Sequence, residues 1–127
     1  MKIIFLKGKH NCGKTTTLNL LYDTLKETAK VIEPRRKLPG KGDFECVLQY
    51  NNKKVAIFSL GDYSFAPAVA IGYYTRAKCD ILVLAYSLSK YIHKNGLFEK
   101  YYSHEHVIVE KTGDDIDVLK NLLAEIE

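Results

Sequence analysis

Residues 8–15 read Gly8-Lys9-His10-Asn11-Cys12-Gly13-Lys14-Thr15, a G-x-x-x-x-G-K-T spacing. Two glycines followed by a lysine and a hydroxyl are the residue types that a polyphosphate requires. Glycine lets the backbone turn tightly and approach a ligand where a Cβ would intrude. A turn of this kind from a strand into a helix points several N–H groups, and the positive end of the helix dipole, into one concavity. Lys14 can then reach β- and γ-phosphates, and the Thr15 hydroxyl can hold a magnesium ion. The binding set expected from the spacing is Gly8, Lys9, His10, Asn11, Cys12, Gly13, Lys14 and Thr15. Cys12 lies where a helix N-terminus can lower a thiol pKa, although a small residue that fits the turn explains it as well.

The loop needs a strand before it and a helix after it, and the sequence offers both. Residues 2–7 are a largely apolar run suited to a strand buried on both faces. From about Lys14 to Glu27 the residues Leu18, Leu21, Tyr22 and Leu25 fall at helical spacing and form one apolar stripe. Residues 30–33 read as a short strand ended by Pro34, which cannot donate to a ladder. Residues 34–43 hold two prolines, two glycines, Arg35, Arg36, Lys37 and Lys41; they read as an exposed loop, or as a basic flap over phosphates. Residues 45–50 and 53–60 form a hairpin about Asn51-Asn52, since Asn tolerates the positive φ of a tight turn.

The second hairpin strand ends in Gly61-Asp62, which makes Asp62 the candidate for organising the metal or its water. A turn or helix-capping role is its structural alternative. Residues 64–78 read as a helix starting near Pro67 and packing through Ala66, Ala68, Ala70 and Gly72, with Tyr73, Tyr74 and Arg76 on its other faces. Residues 80–87 are a strongly apolar central strand. Asp80 stands at its start, on the side away from any ligand, because ligands bind beyond the C-terminal strand ends of a parallel sheet. A short helix capped by Ser87 or Ser89 and stopping at Asn95-Gly96 follows. Residues 106–110 are the last strand, and residues 112–115 cap a terminal helix with Ile116, Leu119, Leu123 and Ile126 on one face. This alternation gives an α/β domain of three layers spanning 1–127, with a mostly parallel sheet and one hairpin-added antiparallel strand.

Composition narrows the classes. The chain has 127 residues, 46% hydrophobic and 27% charged, and no apolar run long enough to span a membrane. Cys12, Cys46 and Cys79 are odd in number and lack C-x-x-C spacing, which favours reduced thiols and a cytoplasmic setting over disulfides or zinc. His104 and His106 share a strand face and read as edge residues before ligands. A net charge of +4 suits an anionic ligand and is weak support for nucleic acid, which it does not exclude.

On residues 8–15 and the strands at 55–60 and 80–86, the chain resembles the P-loop NTPase superfamily. The resemblance implies phosphate binding by Lys14 and the loop amides, magnesium on Thr15, and a donor to the α-phosphate at Thr16. The start, residues 8–19, is similar to translation-factor-type GTPases, to adaptor proteins of molybdopterin guanine dinucleotide synthesis and to compact bacterial ATP-binding proteins. Against a GTPase, residues 31–50 hold no Ser or Thr for a switch hydroxyl, residues 58–61 lack the Asp of D-x-x-G, and the guanine-reading motif is reduced to Glu110-Lys111-Thr112-Gly113-Asp114. A small-molecule kinase would draw its acceptor carboxylate from Glu33, Asp62 or Glu110. A nucleotide-binding interaction module would use the tyrosine clusters at 73–74, 91 and 101–102.

The expected activity is that of a Mg-ATP-binding protein, with GTP as the alternative nucleotide. Its hydrolysis would be weak or stimulated by a protein partner, with Lys14 and Asp62 carrying the chemistry and Thr15 and Asp62 the metal. Arg35, Arg36 and Arg76 are the arginines available in cis to neutralise transferring phosphate.

Overall fold

The computed structural model describes residues 1–9, 12–39, 42–60, 66–87 and 104–127. In chain order the elements are β1 (Lys2–Gly8), α1 (Lys14–Lys26), β2 (Lys30–Lys37), β3 (Phe44–Tyr50), β4 (Lys53–Phe58), α2 (Ala66–Arg76), β5 (Ile81–Ser87), β6 (His106–Glu110) and α3 (Asp115–Ile126). The six strands form one sheet in the order β2-β3-β4-β5-β1-β6. β1 pairs in parallel with β5 and β6, β4 pairs in parallel with β5, and β3 is antiparallel to both β2 and β4. β3 is therefore the one reversed strand of the sheet.

Strand alternation assigns the two faces. Ile4, Leu6, Cys46, Leu48, Val55, Ile57, Val83 and Ala85 join Leu18, Leu21 and Leu25 of α1 and Val118, Leu122 and Ile126 of α3 in one buried cluster. Ile3, Phe5, Val47, Ala56, Phe58, Leu82, Leu84 and Tyr86 join Ala70, Ile71 and Tyr74 of α2 in the other. Helices thus cover both faces. α1 opens on three threonines, each costing up to about 0.7 kcal/mol in helix propensity. Burial of Leu18, Leu21 and Leu25, about 1.5–3 kcal/mol each, outweighs that cost.

Three elements depart from the local reading. β2 does not stop at Pro34 but continues to Lys37. It lies at the sheet edge, and its pairing with β3 shifts register between Val31 and Glu33 and again between Glu33 and Arg36. A proline needs no ladder donor in such an irregular edge stretch. Residues 34–37 of the expected loop at 34–43 are therefore strand. Tyr74 is buried instead of lying on an outer face of α2, and its hydroxyl donates to Glu45 Oε2 at 3.0 Å. On α3 the inward stripe is Val118, Leu122 and Ile126, with Leu119 and Leu123 beside it, whereas Ile116 is 55% exposed. The Asn51-Asn52 turn has φ of 47° and 62° as expected, and Asp114 caps α3 by accepting from Ile116 N and Asp117 N. The helix expected after Ser87 and the aromatic stretch at 97–102 lie outside the described residues.

Candidate functional site

The loop after β1 stands at the C-terminal ends of the parallel strands, where Gly8 is in register with Ser87 and Lys7 with Glu110. Gly13 precedes α1 with φ 94°, offers no side chain to cap the helix, and no acid lies in the first turn. The first-turn amides of α1 thus face the loop without a capping side chain. At Gly8 the constraint is space. A Cβ there would stand 2.5 Å from Cys12 Sγ, 3.1 Å from Lys111 Cβ and 3.5 Å from Lys14 Cδ. Cys12 is half-buried and seated directly on Gly8, which is the fit expected of a small residue in the turn.

Lys14 is 6% exposed. Its ammonium donates to Lys9 O at 2.6 Å and Gly8 O at 3.3 Å, and lies 3.7 Å from Cys12 Sγ. Among the described residues these neutral acceptors are its only partners, and no carboxylate pairs with it. A buried cation held by neutral groups alone carries a desolvation cost that an anion in the loop would offset. Thr16, the next donor of the set, is exposed; His10 and Asn11 lie outside the described residues.

Behind the loop a second network fixes its shape. The Thr17 hydroxyl, fully buried, bonds to Gly13 O at 3.2 Å and Asp115 Oδ1 at 3.1 Å. Lys111, with its side chain 4% exposed, donates to the same Asp115 oxygen at 2.5 Å and to Thr112 O at 2.7 Å. Hydrogen bonds from Lys111 and then Thr17 hold the Asp115 carboxyl below its ordinary value of 3.8. The sequence does not single out Lys111 and Asp115 for this role. Their one signal there is the position of residues 111–115 just beyond the ligand-side end of β6.

The Thr15 hydroxyl donates to Asp43 Oδ1 at 2.8 Å. Asp43 is 7% exposed, and the same oxygen accepts from Ser59 Oγ at 2.9 Å. Ser59 is itself locked to the hairpin, since Phe44 N donates to its hydroxyl at 2.8 Å and its own N–H bonds to Phe44 O at 3.0 Å. Gly42, at φ 75°, turns the chain into Asp43 and passes against the Thr15 methyl. Leu38 N, bonded to Asp43 O at 2.9 Å, closes the turn. In the sequence Asp43 is only the end of a loop; Asp62, the acid expected from the spacing, lies outside the described residues. Among the described residues no three His, Cys, Asp or Glu side chains gather as a ready metal cluster.

The two arginines of the basic stretch are engaged elsewhere. Arg35 stacks on Phe44, 4.6 Å from the ring centre, and lies 5.8 Å from that of Tyr22. Arg36 pairs with Glu45. Arg76 ends α2 beside Ala77, whose carbonyl is bound by Lys54 at the start of β4. That places it at the far end of the sheet from the loop. Asp80 is also at that end, accepting from Lys54 N at 2.8 Å. Glu33, Arg35, Arg36, Glu45, Cys46 and Tyr73 line a cavity of about 450 Å³ at the β2–β3 edge. Cys46 and Cys79 are buried, and burial pushes the Cys46 thiol up to about 12.

No protein-family model, curated protein or solved structure matches the chain. No helix among the described residues is long and apolar enough to cross a membrane.

Proposed function

We propose that the chain is a P-loop nucleoside-triphosphate-binding protein whose ligand is Mg-ATP, with slow or partner-stimulated hydrolysis. The observation that carries this reading is the Lys14 ammonium, buried in the Gly8–Gly13 turn and held only by neutral acceptors among the described residues. A triphosphate supplies the missing negative charge. The free amides at the start of α1 bind its oxygens, and Thr15 offers its hydroxyl to magnesium. Bound there, magnesium would neutralise charge on the phosphates; positioning and charge neutralisation are what such a site contributes. ATP is favoured over GTP because Asp114, the acid nearest to a guanine-reading position, is committed to capping α3.

A second reading, phosphoryl transfer to a small acceptor, draws on the cavity beside Glu45. Acceptor-dependent ADP formation without matching phosphate release would establish it.

A thermal-shift series with ATP, ADP, GTP and GDP, each with and without magnesium, tests the main reading, because a ligand specific to the folded state raises the melting temperature by mass action. No shift with any nucleotide refutes it, and a shift with guanine nucleotides alone overturns the ATP assignment. Lys14→Ala is expected to abolish the shift and at least ~90% of any hydrolysis. Hydrolysis unchanged in that variant would place the chemistry elsewhere.

A further inference from the structure

We infer that Asp43 is the acid that organises magnesium at the Thr15 hydroxyl, and that Ser59 is the residue that positions its carboxylate. The inference rests on the nucleotide reading above and concerns which residue of this chain does the work.

The sequence points to Asp62, beyond the end of β4, and that residue lies outside the described ones; the residue directly after β4 is Ser59, whose side chain cannot carry a negative charge. Among the described residues a charge comes from across the hairpin. Glu45 pairs with Phe58 in the β3–β4 register, so the chain just before β3 runs beside the chain just after β4. Asp43 thereby reaches the level of Ser59 and the first turn of α1 at once.

The bonding at Asp43 is lopsided. Oδ1 accepts from both Thr15 and Ser59, whereas Oδ2 has no partner among the described residues. No cation pairs with this carboxylate among the described residues, although it is 7% exposed. A carboxylate that served only to tie the hairpin to α1 would be as well replaced by a neutral acceptor, which avoids burying a charge. A charged group here has a use if a cation sits beside the Thr15 hydroxyl. A hydroxyl that donates its hydrogen to Asp43 keeps its lone pairs for a hard cation, and carboxylate and hydroxyl oxygens are the ligands magnesium prefers. The residues present therefore fit the ion, on the strength of their donor set.

The role of Ser59 is then specific. Its hydroxyl, oriented by Phe44 N, donates to Oδ1 and fixes the plane of the carboxylate. Removing it leaves the charge but frees its orientation.

The test is the magnesium dependence of nucleotide binding in the full chain, read by thermal shift with ADP or ATP and by direct titration of manganese as a magnesium probe. Asp43→Asn, nearly isosteric and able to accept from both hydroxyls, is expected to keep the shift caused by nucleotide without metal. Its magnesium midpoint at fixed nucleotide should rise at least tenfold, and manganese affinity should fall in step. Ser59→Ala should raise the midpoint by about threefold while the metal-free shift stays unchanged. A purely structural role would lower the melting temperature of both variants and leave the magnesium midpoint alone. A wild-type magnesium midpoint in Asp43→Asn overturns this inference while nucleotide binding stands. If Asp43→Asn fails to fold by circular dichroism, an unchanged midpoint in Ser59→Ala overturns it in the same way. Absence of any nucleotide shift in the wild type is a different result, which removes the nucleotide reading and this inference with it.

Discussion

Replacing Gly8 by alanine probes the tightest contact in the loop. The added Cβ would meet Cys12 Sγ at 2.5 Å, Lys111 Cβ at 3.1 Å and Lys14 Cδ at 3.5 Å. The last is ordinary contact, and the second needs a few tenths of an ångström. The first must be relieved by about 1 Å, which either rotates Cys12 or opens the turn. Overfilling a packed site costs about 1–3 kcal/mol. Gly8 has no positive φ, so alanine also restricts the unfolded chain and returns about 0.4–1 kcal/mol. The net expectation for Gly8→Ala is a loss of about 1–2 kcal/mol, and with it weakened phosphate binding, because the displaced sulfur is 3.7 Å from the Lys14 ammonium.

Cys12→Ala removes the offending atom. In that background the same Gly8→Ala change should fall within about 0.5 kcal/mol of neutral, since the entropic gain and the residual crowding at Lys111 nearly cancel. The coupling in the double-mutant cycle is then about 0.5–2.5 kcal/mol, centred near ~1.5 and so above the few tenths typical of independent sites. Urea denaturation of the four proteins measures it. If Gly8→Ala costs the same with and without the cysteine sulfur, Cys12 is not seated on Gly8, and other contacts set the shape of the loop.

Three further outcomes follow from other parts of the molecule. Lys78 holds φ 59° where α2 ends, with Cys79 N bonded to Tyr74 O and Lys78 N to Thr75 O, so Lys78→Gly should raise stability by about 1 kcal/mol and the melting temperature by a few degrees; no gain would mean the left-handed turn is not populated. The depressed pKa of Asp115 contributes stability that is present above the ordinary value of 3.8 and lost as pH falls through the lower folded value. Stability curves of the wild type and Asp115→Asn should therefore differ at neutral pH and converge below that value; parallel curves would rule out the link to Lys111 and Thr17. Burial raises the thiols of Cys46 and Cys79, the former to about 12, so iodoacetamide at about pH 8 should label Cys12 first, and bound nucleotide should slow that labelling; mass spectrometry showing equal labelling of all three cysteines would contradict the packing.

The features legible in the sequence were those decided by neighbours in the chain. The Gly13 turn into α1, the Asn51-Asn52 turn and the Asp114 cap each carry their geometry in a few consecutive residues. The path of β2 past Pro34 was hidden because a proline reads as a breaker until the strand is known to lie at an edge. On α3 two apolar stripes overlap, one through Val118 and Leu122 and one through Leu119 and Leu123. Only packing against α1 and the sheet shows that the first points inward. Asp43 was missed for a related reason. Its importance depends on the partner across the hairpin and on where α1 lies, and neither is written in the residues around it.

The direction of β3 explains why the acid beside Thr15 comes from residue 43. In a parallel sheet every strand delivers its C-terminal end to the ligand side, so the preceding loops lie at the far end. β3 alone runs the other way and brings the chain that precedes it, Gly42 and Asp43, to the ligand side. α1 meets it there. The Tyr22 ring packs edge-on against Phe44 at 5.9 Å, and Arg35 caps the same aromatic pair, which anchors α1 over the start of β3. Thr15 lies seven residues before Tyr22, about two turns along this helix and on the same side, so its hydroxyl is directed to the residue just before Phe44. β5 separates β4 from β1 by one strand spacing of about 4.8 Å on each side, which moves the end of β4 away from the loop. Ser59 covers part of that gap by holding Asp43 in place. A single reversed strand and an aromatic anchor under α1 are therefore enough to bring a carboxylate to the Thr15 hydroxyl from the chain that precedes β3.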